Sequence, residues 1–478
     1  MINLFDETAR KNIAAFIKSE SPRLEYNADI FMIMEGNVKT LLNDRMLADL
    51  GEKSSKSAST RTAPINVFRK IVDKQTKIYD NPVIRTVENG IDSDEKLVQW
   101  YEDQLCLNRK MGKNNENYNA YLYGLLHIGL TDPKPGERIQ KPFIRSIPNH
   151  QFLIMNTSRT DPTEPDVIIT CQGKRSTADG KDEYIYYVYT DEQFVIINGG
   201  GDILDDLMYQ NEMEGDNPYG VTPFAYANAS QDCAMPSIQT DNKDMALLIP
   251  LLLTDLNYAV KFQSFSVFIA RDMSDGNLEF SPNSVVCIHT KPGSEHQATF
   301  EVVKPTVDIS ETLSLASSEM SLWLSSKGIR PGQIGEIGAD KLASGISKMI
   351  DESDTFESIK KQIITYQDVE EIFWEKLLKD MHPKWVAAGV IENTTPFTAN
   401  ARVVTRFTQP VPLQTRGDLV KDLEAEVAAG FISKKRAIGI LNSGLRESEV
   451  DELIEEISKE RPVIGAMVDG EQGNQVSA

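Results

Sequence analysis

From about Asp340 to Met381 the sequence predicts one continuous helix. At helical rise it would be about 60 Å long. Its apolar stripe, Ile359, Ile363, Tyr366, Phe373 and Leu377, lies close to a heptad seam. A helix of that length cannot bury its flanks inside one small domain. It needs neighbours, and a ring of identical copies would supply them.

The chain has 478 residues, enough for about three domains with real cores. Its net charge is −21, which argues against coating DNA through a basic face. Acidity does not exclude DNA that passes without being held, because an acidic wall repels phosphate. Cys106, Cys171, Cys233 and Cys287 are scattered without a CxxC pair, so no zinc spacing or disulfide framework is implied, and a reducing compartment fits. The N-terminal stretch reads as an amphipathic helix and not a signal peptide. The most apolar run, Met245 to Thr254, is too short to span a bilayer.

Residues 1–60 read as helical, with Ile30, Met34, Val38 and Leu41 on one face. Gly51 to Pro64, polar and Ser-rich, reads as a loop. Ile65, Phe68, Val72 and Ile78 mark a helix ended by Asn81-Pro82, and another helix spans about 95–108. Tyr118, Leu122 and Leu125 then lead a helix into a strand. From Pro142 to Asn228 the period becomes two, with a turn at Asp179-Gly180. Asn242 to Ser266 reads as a helix that Pro250 should kink or delay. About 40 residues of β character follow, and then a helix over 308–327 with Leu313, Ala316, Met320 and Trp323 on one stripe. Gly328 to Gly345 is too glycine-rich to hold a helix throughout.

Catalytic motifs are sparse. Gly173-Lys174-Arg175-Ser176 lacks the first glycine of a P-loop, since Ile168 stands there. Gly199-Gly200-Gly201 lacks strand–helix context and reads as a wide loop. Asp202, Asp205 and Asp206 could be imagined as nuclease metal ligands, but surface acids explain them better. The five histidines are dispersed, and no GxSxG occurs. No metal site, cofactor or catalytic residue is therefore expected, and the chain reads as a non-enzyme.

The C-terminal third is more specific. An extended piece, Ala401 to Pro412, precedes a stripe of Leu419, Leu423 and Val427. Gly430 should end that helix and Ser433 cap the next. Ser448 and Asp451 form a capping box for a last helix with Val450, Leu453, Ile454 and Ile457 on its face. The tail after Arg461 is Gly-rich and reads as disordered. Upstream, Asn217, Pro218, Gly220, Pro223 and Phe224 form a tight-turn pattern. Together these features resemble portal proteins, the head-to-tail connectors of tailed bacteriophages. The resemblance covers about residues 20 to 460 in element order. It is specific in sequence at Asp216–Phe224, Ala343–Lys348 and Val403–Glu460.

The resemblance implies an α+β portal fold. Its parts would be an N-terminal wing (1–240), a stem helix (241–266), a clip (267–307) and a second stem helix (308–327). A tunnel loop (328–345), a long wing helix with returning strand (346–412), a crown (413–461) and the tail (462–478) would follow. It implies a ring of twelve copies at one capsid vertex, where DNA enters during packaging and leaves on ejection. The partners would be terminase, head-completion adaptor or tail proteins, the major capsid and scaffold proteins, and double-stranded DNA read without sequence specificity. The place would be the virion, with assembly in the host cytoplasm and no membrane. Lys327, Arg330, Gln333, Lys341 and Lys348 would face the DNA channel. Arg271, His289, Lys291, His296 and Lys304 would meet terminase or adaptor from the clip. The alternative from the residues alone is a metal-dependent DNA-processing enzyme, a nuclease using Asp202 to Asp206.

Overall fold

A computed structural model describes the chain apart from residues 1, 60–61, 82, 134, 158–160, 164, 177–181, 206–214, 265–266, 272–298, 304–308, 330–344, 409–415, 443–446 and 461–478. The fold is α+β with several small sheets. Three helices open it, α1 (Glu7–Ser19), α2 (Ser21–Met34) and α3 (Val38–Ser59), followed by α4 (Val67–Gln75), β1 (Ile84–Glu88), α5 (Asp92–Leu105) and α6 (Leu107–Tyr121). A β-rich stretch comes next: β2 (Tyr123–Leu130), β3 (Pro142–Ile147), β4 (Phe152–Met155), β5 (Val167–Ser176), β6 (Asp182–Tyr189), β7 (Phe194–Asn198) and β8 (Phe224–Asn228). Then α7 (Thr240–Ser264), β9 (Val267–Arg271), β10 (Thr299–Val303) and α8 (Ile309–Ser326) follow. The last third holds α9 (Gly345–Glu375), a π-helical turn (Lys376–Met381), α10 (His382–Ala388), β11 (Arg402–Arg406), α11 (Arg416–Ala428), α12 (Lys434–Leu441) and α13 (Glu447–Glu460).

The chain divides into two compact units. The first comprises Met1–Thr76, Lys113–Gly129 and Ile144–Leu342, the second Lys77–Gly112, Leu130–Phe143 and Ala343–Ala478. In the first unit, β4, β5, β6 and β7 form an antiparallel sheet in that order, and β3, β2 and β8 form a second. Leu4, Ile13 and Ile17 from the N-terminus and α1 cover Leu153, Ile169, Val188 and Val195 of the four-stranded sheet. A larger cluster joins Ile30, Phe68, Tyr123, Phe152, Ile249 and Trp323 from α2, α4, β2, β4, α7 and α8. This is what the apolar faces of those elements demand, since each exposes apolar surface that only packing removes from water.

The turn before β8 is built as its sequence suggests. Gly220 takes φ +69°, open to glycine at no steric cost. The Asn217 side chain is buried. Its Nδ2 donates to the Thr190 and Val221 carbonyls at 2.8 and 2.9 Å, and its Oδ1 accepts from the Tyr219 N–H at 3.1 Å.

In the second unit, β1 and β11 pair antiparallel, with Ile84 opposite Arg406 and Glu88 opposite Arg402. The stripe predicted for the long helix is buried: Ile359, Ile363, Tyr366, Phe373 and Leu377 are all sequestered. Tyr366 meets the Tyr79 ring edge-on at 5.7 Å. The π-turn carries the burial onward through Leu377, Leu378 and Met381.

Several boundaries differ from the sequence reading. Gly51 to Ser59 is the end of α3 and not a loop, because one glycine costs a helix only about 1 kcal/mol and the other residues there tolerate one. The helix after Ile65 stops at Gln75, well short of Asn81, with Thr76 as its cap and Ile78 buried beyond it. Cys106, at φ +49°, splits the helix expected to continue to 108. Strand β1 was not foreseen, since its five residues make too short a pattern to stand out. Gly199 to Gly201 form a tight turn and not a wide loop: Ile197 bridges Ile203, and the Asn198 N–H donates to the Asp202 carbonyl at 3.0 Å. The last helix begins at Glu447, which puts Ser448 inside it, and Asp451 pairs with Lys435 at 2.8 Å. The turn expected at Asp179-Gly180 and the tail after Arg461 lie outside the described residues.

Candidate functional site

Helices α7 and α8 form an antiparallel hairpin, and the paired strands β9 and β10 lie between them in the chain. The direction is fixed at the base, where Lys327, just past α8, meets Asp241 in the first turn of α7 at 2.8 Å. The Lys327 ammonium also donates to Gln239 Oε1 at 3.3 Å, and its carbonyl accepts from Gln75 Nε2 at 3.1 Å. Ala246 and Ile249 of α7 and Trp323 and Leu324 of α8 root this end in the main core. Trp323 stacks on Phe68 at 6.3 Å with an interplanar angle of 13°. Further along, Val260, Leu313 and Leu315 are exposed.

Pro250 does not delay the helix, which starts at Thr240 and runs through it. A proline here removes one intrahelical donor. One turn on, buried Thr254 donates from Oγ1 to the Pro250 carbonyl at 2.7 Å and accepts from the Ala63 N–H at 3.1 Å. At the other end of the hairpin, β9 and β10 run antiparallel with Val267 opposite Val303 and Arg271 opposite Thr299.

Of the residues predicted to face a channel, Lys327 sits at the hairpin base with most of its side chain covered and its charge on Asp241. Lys348 lies in the first turns of α9. Arg330, Gln333 and Lys341 lie outside the described residues. Of those predicted for the clip, Arg271 ends β9, while His289, Lys291, His296 and Lys304 lie outside the described residues. Asp202 is tied to the Asn198 side chain at 3.2 Å, Asp205 is exposed and Asp206 is not described. Among the described residues no group of three or more His, Cys, Asp or Glu side chains could hold a metal ion. No described helix is long and apolar enough to cross a membrane.

The three C-terminal helices have well-formed ends. Phe431 N–H donates to the Glu426 carbonyl at 3.0 Å and Gly430 N–H to Val427 at 3.2 Å, with Gly430 at φ +75°. That is a Schellman stop, which requires a left-handed residue. Ser433 Oγ accepts from the Arg436 N–H at 3.2 Å and starts α12.

The second unit also holds a buried ion cluster that sequence reasoning missed. Arg85 of β1 donates from Nε and Nη2 to Glu370 of α9 at 2.8 and 2.6 Å, and from Nη1 to Glu102 and Asn108 at 2.7 and 2.9 Å. Glu370 also accepts from Tyr79 Oη at 2.9 Å, Trp374 Nε1 at 3.1 Å and Thr405 Oγ1 at 3.4 Å. Burial opposes the Arg85 charge, but Glu370, Glu102 and Tyr79 together outweigh it and raise its pKa. Burial, then Glu370, pushes the Tyr79 hydroxyl well above its usual range. The signal was in the sequence: Glu370 stands four residues after Tyr366 and three before Phe373, in register with the apolar stripe. A carboxylate there must be buried with a partner.

His382 follows the π-turn and is buried in the same unit. Its Nε2 faces the Thr395 carbonyl at 2.8 Å, which can only accept, so Nε2 carries the proton. Tyr101 Oη therefore donates to Nδ1 at 2.7 Å. Burial lowers its pKa, which favours this neutral form.

No protein-family profile matches the chain, and no curated protein matches it. Among solved structures, a chain from the neck of an empty GTA particle, computed with C6 symmetry, is similar over 82% of this chain and 94% of that one. The identity is 12% and the TM-score 0.39. A likeness that slight carries no argument about fold or function.

Proposed function

We propose that this chain is a portal-type subunit: twelve copies form a ring at one capsid vertex of a tailed phage, through which DNA is packaged and ejected. One observation carries the reading. An antiparallel helical hairpin, rooted at Lys327–Asp241 and bearing a β-ribbon, is set between a mixed α/β region and a long helix. A strand and three helices follow. That is the order the sequence resemblance implies.

In this reading the subunit is a passive channel and docking platform. It needs no cofactor and catalyses nothing itself, and terminase hydrolyses ATP. The ribbon end of the hairpin meets terminase, then the head-completion adaptor or tail proteins. Scaffold and major capsid protein hold the rim. The net charge of −21 keeps a duplex sliding instead of bound. Arg330 and Lys341 contact DNA at the tunnel, so neutralising both should alter packaging or DNA retention while rings still assemble.

The test is averaged electron imaging of the purified protein with native mass alongside. A ring with a central hole is expected, near 640 kDa, roughly twelve times the protomer. A chain that stays at 53.5 kDa even with scaffold and capsid protein present would overturn the reading.

A further inference from the structure

The C-terminal helices leave apolar and charged groups uncovered in a complementary pattern. Phe431, fixed by the Schellman stop, is 82% exposed. The residue at that position of such a stop usually packs back on its helix. Here the ring stands in solvent. Two residues on, α12 begins with Lys434, Lys435 and Arg436. Three cations in a first turn oppose the helix dipole, so helix stability does not account for them. Lys435 pairs with Asp451 at 2.8 Å. Lys434 and Arg436 are exposed and make no ion pair among the described residues. Arg436 and Ile440 stand four apart, hence on one face, and Ile440 is also exposed.

Helix α13 carries the opposite pattern. Glu452 and Glu456, four apart, are exposed. Beside them, Leu453 is half-buried and Ile457 is exposed at 39%. Helix α12 thus exposes basic and apolar groups, and α13 acidic and apolar ones. Two different surfaces that fit each other make a heterologous contact, the kind that closes rings.

We infer that Phe431 and the Arg436–Ile440 face of α12 dock on the Glu452, Glu456 and Ile457 face of the next copy of this chain. The inference rests on the ring reading above. It deepens that reading by naming which surfaces meet. Each copy gives one surface and receives the other, so a basic group meets acidic ones beside apolar side chains. Burying the apolar side chains supplies attraction, and the charges set the register.

The test uses the full chain with Cys106, Cys171, Cys233 and Cys287 replaced by alanine, and carrying Ile440→Cys and Ile457→Cys. A bismaleimide reagent should give a ladder of covalent multimers on a denaturing gel. Arg436→Glu should cut the ladder about tenfold, and adding Glu452→Lys with Glu456→Lys should restore it. Electron images of the same samples separate the two claims. Rings that give no ladder, or a ladder indifferent to charge reversal, overturn this contact and leave the ring standing. A chain that forms no ring at all overturns both.

Discussion

Removing the guanidinium of Arg85 should be among the most damaging single changes in the second unit. The side chains of Arg85 and Glu370 are 1% and 0% exposed, so neither charge has water to fall back on. In Arg85→Met, Glu370 loses two charge-assisted hydrogen bonds and keeps three neutral donors, Tyr79, Trp374 and Thr405. Breaking a buried pair by deleting one partner costs about 3–5 kcal/mol. Glu370→Gln should cost somewhat less, about 3 kcal/mol, because Arg85 retains Glu102 and Asn108. The double variant should cost less than the sum by about 2–3 kcal/mol, the coupling expected of groups in one network. Urea unfolding followed by tryptophan fluorescence reads this unit, which holds Trp100, Trp374 and Trp385. Protein concentration must be held fixed, since assembly shifts apparent stability. Single variants that each lose less than about 1 kcal/mol with no coupling would refute the reasoning.

Gly430→Ala should destabilise the C-terminal helices by about 1 kcal/mol, purely through its positive φ, since nothing lies within 4 Å of the added carbon; a thermal melt showing no change would contradict this. Asn217→Ala removes three hydrogen bonds from a buried turn and should cost about 2–3 kcal/mol, read as a lowered melting temperature. His127, stacked on Phe224, has its pKa lowered to about 4 by burial and then by Arg145. The unfolded chain therefore takes up this proton first, and stability present above pH 6.5 is lost as pH falls towards 4, by at most about 3 kcal/mol. His127→Gln should remove that part of the acid sensitivity, measured by urea unfolding at pH 7 and 4.5.

How far the sequence reaches depends on whether one local signal decides the element. Gly430 and Ser433 announced a helix stop and start through chemistry confined to a few residues, and the structure has both. Asn217 to Phe224 was legible for the same reason. Strand β1 was not, because its pairing partner β11 lies more than three hundred residues away and no short pattern marks it. Ser448 and Asp451 matched a capping box, yet a tertiary ion pair between Asp451 and Lys435 exists instead. Of the candidate site, Lys327 stands out in the sequence as a cation near a glycine-rich loop. Its partner Asp241 stands at the far end of an intervening hairpin, which only the folded chain brings near.

The packing of the long helix shows how much of it one chain can cover. Its length suggested that neighbouring copies must cover it. Ile359, Ile363, Tyr366, Phe373 and Leu377 are already buried in the single chain, so that stripe requires no second copy. What stays uncovered on α9 is different: Ile364 is 63% exposed and Ile372 42%. Exposed groups such as these and Phe431, and not helix length, are what another chain could cover. The same shift explains Glu370. A helix satisfied within its own chain can carry a carboxylate in its apolar register, because Arg85 is delivered by a strand of that chain.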